Sequence, residues 1–560
     1  MAEQQDQELK TLVSGRQSKL ESDKENWVQR MQDVADYVIP HRDDIRGTLV
    51  SGERKGTKIY DGTAQGAAVL ATDGIHGYHV SPAFPWFKYI MSRKAANEIK
   101  EIRLWLEEVE YAMYMALTRS NFYSEMWSFI FDGFTIATAA MYPEEDLSEG
   151  RIVFEAVHPG ELHIAENQYG EVDVLHRKRK LSARKLVQMF GEDNLPEAIK
   201  INNKTQPFSE FEIIHATFPR EEYDNRIKNA KNKKFASIWM LTEGNHICRV
   251  SGFDQFPYNV WRYLRTGKDP YGVSPAHLAM ADIKGVNLMS KTLQGAAQLA
   301  VDPAYNVPSH LQGKVQLKPR GLNYMDEPGQ EITPVNTGSN YPVGIDREQA
   351  KQQSIKERFH VDTFLMLTQL NAQPGARTAF EVSEMMAEKA AVLGAELGPL
   401  NAELDNILDQ IYNIEKAAGR ISQPPDILYD MVDQDPSLRF DPVYQGPLAQ
   451  AQREKFGKDS IRKFFLDIGP LMEIDETVVD NFDLDKSSRI LADVNGIPED
   501  IKRDVESVKK IREGRAQAQI EAQQQEDAEA MVQGLKTASE ADKNLGGQLS
   551  SALAGGVPGT

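Results

Sequence analysis

The chain has 560 residues and a mass of 62.9 kDa, room for about three or four folding units at roughly 150 residues each, which excludes a peptide-sized binding module. Hydrophobic residues make up 41% and charged residues 26%, with a mean hydropathy of −0.49, a composition that argues against global disorder. The 64 Lys and Arg stand against 83 Asp and Glu, a formal net charge of −19, which opposes wrapping nucleic acid on a basic surface, so any DNA partner is expected to be held loosely.

From Gln4 to Ile39 the pattern predicts a helix, with Leu9, Leu12, Leu20, Trp27, Met31, Val34 and Val38 at helical spacings among charges, ended by Pro40. Residues 41–58 read as an exposed loop with three glycines, and a helix capped by Asp61 follows. Residues 95–142 read as helices, with Ile102, Trp105, Leu106, Val109, Met113 and Leu117 on one face. Between Arg151 and Trp261 short β-like runs take over, at 152–154, 172–175, 211–214, 238–240 and 259–261, with a helix near Ala183–Phe190.

Pro275 opens a helix expected to reach Val301, before Asp302-Pro303. Six prolines and five glycines then mark residues 303–345 as a β-rich insertion, and a second helix is expected from Asp346 to Leu370. After the break at 371–378, Thr378 and Glu381 form a capping-box pattern for a long helix. Its stripe of Leu393, Leu397, Leu400, Leu404, Ile407, Ile411 and Ile414 reads as a coiled-coil seam or, more commonly, as a core-facing surface. Pro399 should kink it. A Pro/Asp-rich connector follows Gly419, another helical region spans about 447–514, and a frayed tail is expected from Gln517.

The chemical motifs are sparse. Gly52-Glu-Arg-Lys-Gly56-Thr57-Lys58 lacks the spacing of a phosphate-binding loop, and Ser274 is followed by Pro275, which has no amide to serve an oxyanion hole. His76 and His79 lack companions for a metal set, and one cysteine, Cys248, precludes an intramolecular disulfide. Glu381, Glu384, Glu388, Glu396 and Glu403 are explained by a solvated helix face. The basic runs at 177–180 and 228–234 are short and read as surface in loop or strand-edge context. The N-terminal residues lack a signal-peptide core, and the most apolar stretch, Phe129–Tyr142, is short and contains Asp132, so neither export nor membrane spanning is expected.

An ordered set of segments nevertheless resembles a family. Trp27 with Tyr37-Val-Ile-Pro40, Ile59-Tyr-Asp-Gly-Thr63, Ser81-Pro-Ala-Phe-Pro-Trp86-Phe87 and Ser120-Asn-Phe-Tyr123 with Phe131-Asp-Gly133 come first. Pro270-Tyr-Gly-Val-Ser-Pro275, Asp282-Ile-Lys, Asn287, Thr378-Ala-Phe-Glu-Val382 and Glu388 complete it. Over about residues 20–515 the chain resembles the head-to-tail connector, or portal, proteins of short-tailed bacteriophages.

That resemblance implies an α+β subunit, mainly α with β-rich wing and clip segments, assembled with about eleven others into a ring at one capsid vertex. The segments it implies are a wing (1–275), a first stem helix (276–301), a clip (302–345), a second stem helix (346–370) and a tunnel loop (371–378). A long kinked helix (379–418), a crown and C-terminal wing region (419–515) and a partly disordered or barrel-like tail (516–560) complete the order. It implies a structural role in genome packaging, retention and ejection, with no enzymatic activity and no cofactor. The implied location is the virion, with host cytoplasm during assembly, and no membrane. Expected partners are double-stranded DNA, the major capsid protein and scaffold, the terminase large subunit and a tail adaptor. Asn371, Gln373 and Arg377 are candidates for DNA contact at the tunnel loop, Lys284, Lys291, Lys351 and Lys356 for positive rings on the stem, and Lys314, Lys318 and Arg320 for clip contacts. The alternatives are an internal capsid or scaffold component, which needs no β insertion between paired helices, and a metal-dependent DNA-processing enzyme, which needs convergent carboxylates.

Overall fold

The computed structural model describes residues 2–40, 42, 45–46, 55–223, 229–267, 269–307, 313, 315, 332–334, 341–365, 379–445, 482–494, 501–503 and 505–544. The chain divides into one unit of residues 1–93 with 105–476 and another of residues 94–104 with 477–560. Helix and sheet are both present, in keeping with an α+β class.

The first unit begins with helix α1, Ala2–Tyr37, followed by α2, Thr63–His79, and strand β1, Phe87–Met91. Gly62 holds the cap position of α2; Asp61 lies one residue earlier, and its Oδ1 accepts from the Thr63 amide at 2.9 Å. Helices α3, Lys100–Arg119, and α4, Phe122–Thr135, lead into strands β2, Thr138–Asp146, and β3, Arg151–Val157. The helical expectation for 138–142 therefore fails. Ala137, at φ 74°, turns the chain out of α4, and β2 is buried on both faces from Thr138 to Pro143. A strand covered on both sides loses the alternation that distinguishes it from a buried helix.

Strands β4, Leu162–Glu166, β5, Val172–Ser182, β6, Glu210–Pro219, β7, Phe235–Leu241, and β8, His246–Phe253, form an antiparallel five-stranded sheet in sequence order. Helices α5, Ala183–Phe190, and α6, Glu197–Thr205, intervene between β5 and β6. Ser182 caps α5 by accepting from the Lys185 amide. The sheet separates two cores: Leu186, Phe190, Leu195 and Ile199 pack with Ile213, Trp239 and Leu241, while Val13 of α1 joins Ile214, Ala216, Ile238 and Met240. The two-residue alternation of Ile213 with Ile214 and of Trp239 with Met240 sends neighbours to opposite faces. The basic run at 177–180 lies within β5: Arg177 pairs with both β4 and β6, so the expected surface context fails for it, whereas Lys178 to Lys180 run past the end of β4 and pair with β6 alone, as expected of a strand edge. Arg177 is buried there against Glu155 and Glu161.

Strand β9, Asn259–Arg262, completes a three-stranded sheet in the order β3-β2-β9. The pair β10, Leu264–Arg265, and β11, Gly272–Val273, leads to helix α7, Pro275–Val301, at the expected boundaries. In the expected β insertion, β12, Tyr305–Asn306, pairs with β13, Thr333–Pro334; most of its other residues, with Lys314, Lys318 and Arg320, lie outside the described set. Helix α8 spans Tyr341–Arg358, starting before Asp346 and stopping well short of Leu370. It ends where His360 takes a φ of 54°, after which residues 361–365 are again helical.

Residues 371–378, with Asn371, Gln373, Arg377 and Thr378, lie outside the described residues. The long helix α9, Ala379–Ala417, runs through Pro399 as one element. Its Leu397, Leu400, Leu404, Ile407 and Ile411 are buried, and it packs on β9 and β2. The core-facing reading of its stripe holds for these residues. Helix α10, Asp426–Gln434, and strand β14, Phe440–Tyr444, follow, and β14 pairs antiparallel with β1.

The second unit contains helices α11, Leu484–Val494, and α12, Val505–Asn544. Arg512 grips Asp485 with two bonds of 2.6 and 2.7 Å. The expected fraying from Gln517 is contradicted as far as Asn544. Ala, Gln and Glu favour helix even where they bury little.

Candidate functional site

The residues that attracted attention in the sequence converge at the base of the helical hairpin α7–α8. Ser274 begins it: its hydroxyl donates to the Thr135 carbonyl at 2.5 Å and accepts from the His277 amide at 3.2 Å. The serine is thus a helix cap tied to α4, with Pro275 suited to the first helical position. Burial lowers the His277 imidazole to about 4, and Trp27 of α1 sits between it and Tyr271, with ring centroids 6.5 and 6.0 Å away.

One turn further, Asp282 accepts from Lys351 at 2.9 Å and from Ser354 at 3.1 Å, both on α8. Lys351 holds its carboxyl below the usual carboxylate range. Asn287 accepts from the amides of Tyr60 and Asp61 at 2.8 and 3.2 Å and donates to the Ile283 carbonyl. Asp61 in turn accepts from Gln352 at 2.7 Å. Ser290 bonds Glu348, while Ile283, Val286, Ile355 and Phe359 are buried. These contacts make the hairpin antiparallel and lock its base to the segment before α2.

The same construction recurs in the surrounding shell. Asp132, fully buried in α4, pairs with Arg42, and burial raises its carboxyl to about 6 despite the guanidinium. Asn121 exchanges two hydrogen bonds with Phe154 of β3, at 2.7 and 2.8 Å. Trp86 stacks against Phe122 and Tyr444, each at 6.1 Å. At Gly133 a side chain would collide with Trp261, whose nearest atom lies 2.1 Å from the place a Cβ would occupy. Lys24 of α1 is buried, donates to the Pro159 and Gly160 carbonyls at 2.8 Å, and is lowered by burial to about 7.

The four stem lysines have different surroundings. Lys351 pairs with Asp282, and Lys284 with Asp33 at 2.8 Å. The ammonium of Lys291 lies 5.2 Å from the Tyr60 ring centroid, and Lys356 is exposed on α8. Sequence reasoning missed Arg42, Gln352, Ser354 and Glu348. Asp132 in the most apolar stretch was the signal that a cation had to be nearby, but nothing local identified Arg42.

The arrangement offers little catalytic chemistry. A groove of about 750 Å³ between α9 and the sheets is lined in part by Glu171, Asn259, Arg262, Arg265 and Glu403. Burial raises Glu403 to about 7, so this carboxylate is not on the fully solvated face expected for it. Among the described residues no group of three or more His, Cys, Asp or Glu side chains could hold a metal ion. His76 bonds the Tyr123 carbonyl and His79 bonds Asn401. Among those residues, too, no helix is long and apolar enough to cross a membrane.

Comparison with known proteins agrees with the structural character of these contacts. The chain is 28% identical to the portal protein of Salmonella phage epsilon15 over 539 residues, covering 93% of this chain and 94% of the relative. It is 26% identical to the probable portal protein of Bordetella phage BPP-1 over 556 residues, covering 96% of each. The family described as bacteriophage head to tail connecting protein matches residues 10–502. An end-to-end likeness, interior anchors spaced along the same span and a hairpin fixed at its base lead to one assignment: the chain belongs to the bacteriophage head to tail connecting protein family.

Proposed function

We propose that copies of this chain form a ring of about twelve subunits at one capsid vertex, through which double-stranded DNA enters during packaging and leaves during ejection. The observation that carries the reading is the likeness to two phage portal proteins over more than nine-tenths of the chain. A net charge of −19 per subunit supports passage over gripping, because an acidic wall repels phosphates along its length. In this reading α7 and α8 are the stem, the segment between them is the clip, and residues 371–378 form the tunnel loop. Lys314, Lys318 and Arg320 serve clip contacts with the terminase large subunit during packaging and with a tail adaptor afterwards. The capsid protein and scaffold receive the outer face.

Because Lys284 and Lys351 are already paired with carboxylates, the positive charge offered to DNA is assigned to Lys356 and Arg377, with Asn371 and Gln373 beside the latter and Lys291 contributing less. Native mass spectrometry with particle images tests the assembly. A species near twelve times the chain mass with a central channel is expected, whereas a stable closed dimer without one would overturn the reading. Arg377→Glu should leave rings intact and lower DNA retention; full retention would remove Arg377 from the channel.

A further inference from the structure

Helix α1 meets the five-stranded sheet partly through polar side chains. Gln17, Glu21 and Lys24 follow one another at spacings of four and three on its inner side, and Gln17 and Lys24 are buried. Beneath them lie two buried histidines, His163 of β4 and His176 of β5, which are direct cross-strand partners and so share the face that α1 covers.

The hydrogen bonds fix where the protons sit. Gln17 donates through Nε2 to Glu21 at 2.9 Å, so its Oε1 is turned to His176 and accepts from Nδ1 at 3.0 Å. The imidazole is therefore protonated on Nδ1, and among the described residues its buried Nε2 has no hydrogen-bond partner. His163 likewise donates from Nδ1 to the Glu161 carbonyl at 3.2 Å. A second proton on His176 would add a buried donor without an acceptor, and a charge directly opposite another imidazole.

The carboxylates around the pair are already engaged. Lys178 of β5 binds Glu21 at 2.9 Å and Glu212 of β6 at 3.4 Å, and Glu161, just before β4, binds Arg177, which projects to the other face of β5. On β6 the residue opposite His176 is Ala216, while His215 points away to Tyr258 and Ser237. Two cations of α1 add to the exclusion of a proton, Lys24 acting on His163 and Arg16 on His176. Burial, with these cations, holds His163 at about 3 and His176 at about 4.

We propose that α1 is an acid-released strap: when His163 and His176 take up protons, the helix from Leu9 to Lys24 lifts from the sheet and bares the apolar face of Ile214, Ala216, Ile238 and Met240 on which Val13 sits at neutral pH. The device lies within one chain and does not depend on a ring. With the strap open, both imidazoles are solvated and titrate near the ordinary value of about 6.5; with it closed they stay neutral, so falling pH favours the open form. Lys24 pulls in the same direction, but its share is complete by about pH 7, which leaves the window below pH 6.5 to the two histidines.

Amide hydrogen exchange of the full-length chain tests this, with each rate corrected for the pH dependence of exchange itself. Between pH 6 and pH 5 the opening equilibrium of amides 9–24 should rise on the order of fiftyfold. Amides of α5 and α6, on the opposite face of the same sheet, should not follow. His163→Asn or His176→Asn, each keeping a nitrogen donor near the place of Nδ1, should reduce the rise to about eightfold, and the double variant should abolish it. A flat profile along α1 in the unsubstituted chain would overturn the strap. So would an equal rise in α5 and α6, which would mean that the sheet opens as a whole, or a full rise that survives in the double variant. Since the double variant can fail to fold, the unsubstituted chain gives an independent reading. A slope of nearly two protons in the logarithm of opening against pH supports the histidine pair, and a slope of one or less overturns it.

Discussion

The five-stranded sheet and the α7–α8 hairpin solve opposite problems. The sheet is covered on both faces, by α1 on one side and by α5 with α6 on the other, and β7 is buried along its whole length. Two of its buried polar side chains find their partners within the chain: His215 is held by Tyr258 at 2.6 Å and Ser237 at 2.9 Å, and Arg177 by two glutamates. The hairpin is fixed at its base by directional polar contacts and leaves a row of leucines uncovered. The first region buries its apolar residues on both faces; the second is anchored by polar bonds while part of its apolar surface stays exposed.

The sharpest way to break this contrast is at the packed end. Gly133→Val should cost about 3 kcal/mol or more, because the new side chain would overlap Trp261 in a core without spare volume. Denaturant unfolding would register the loss, and an effect below about 1 kcal/mol would show that the interior is softer than described.

Lys24 gives a pH-dependent version. Its folded pKa lies below the unfolded value, so the unfolded chain binds more protons between about 7 and 10. Stability from this group therefore rises as pH rises through that window and is lowest below pH 7. Relative to Lys24→Met, the native chain should gain on the order of 2 kcal/mol between pH 7 and pH 9. A flat difference in unfolding free energy would mean that water reaches the ammonium.

The smallest effect belongs to the hairpin's partly exposed ion pair. Lys351→Gln should change stability by no more than about 1 kcal/mol, with faster amide exchange along α8 as its main signature. A much larger loss would mean that the pair with Asp282 acts as part of a network with Ser354.

How much of this was legible in the sequence depended on the range of the cause. The helix from Pro275 to Val301 and α5 at Ala183–Phe190 rest on neighbouring residues and were readable, although their caps, Ser274 and Ser182, were not singled out. The pairing of β1 with β14 joins residues more than three hundred positions apart and left no local mark. The fully buried β2 concealed its period, and the break at His360 depends on a backbone angle that composition does not announce. Of the candidate site, Asp282, Asn287 and Asp61 were found through the family resemblance, but their partners Ser354 and Gln352 sit among ordinary helix-surface residues. The fate of Glu403 was hidden for the converse reason: a helical carboxylate is solvated unless something distant covers it.

The small ladder of Tyr305 and Asn306 with Thr333 and Pro334 has a practical meaning for exchange between relatives. Tyr305–Asn306 and Thr333–Pro334, at the two ends of the insertion, are fastened to each other, so a change in the length of the chain between them costs little. Doubling such a loop adds only about 0.6 kcal/mol of closure entropy. An insertion of another length can be exchanged at that pairing while α7 and α8 keep their register, as a handle is refitted without recutting the shaft.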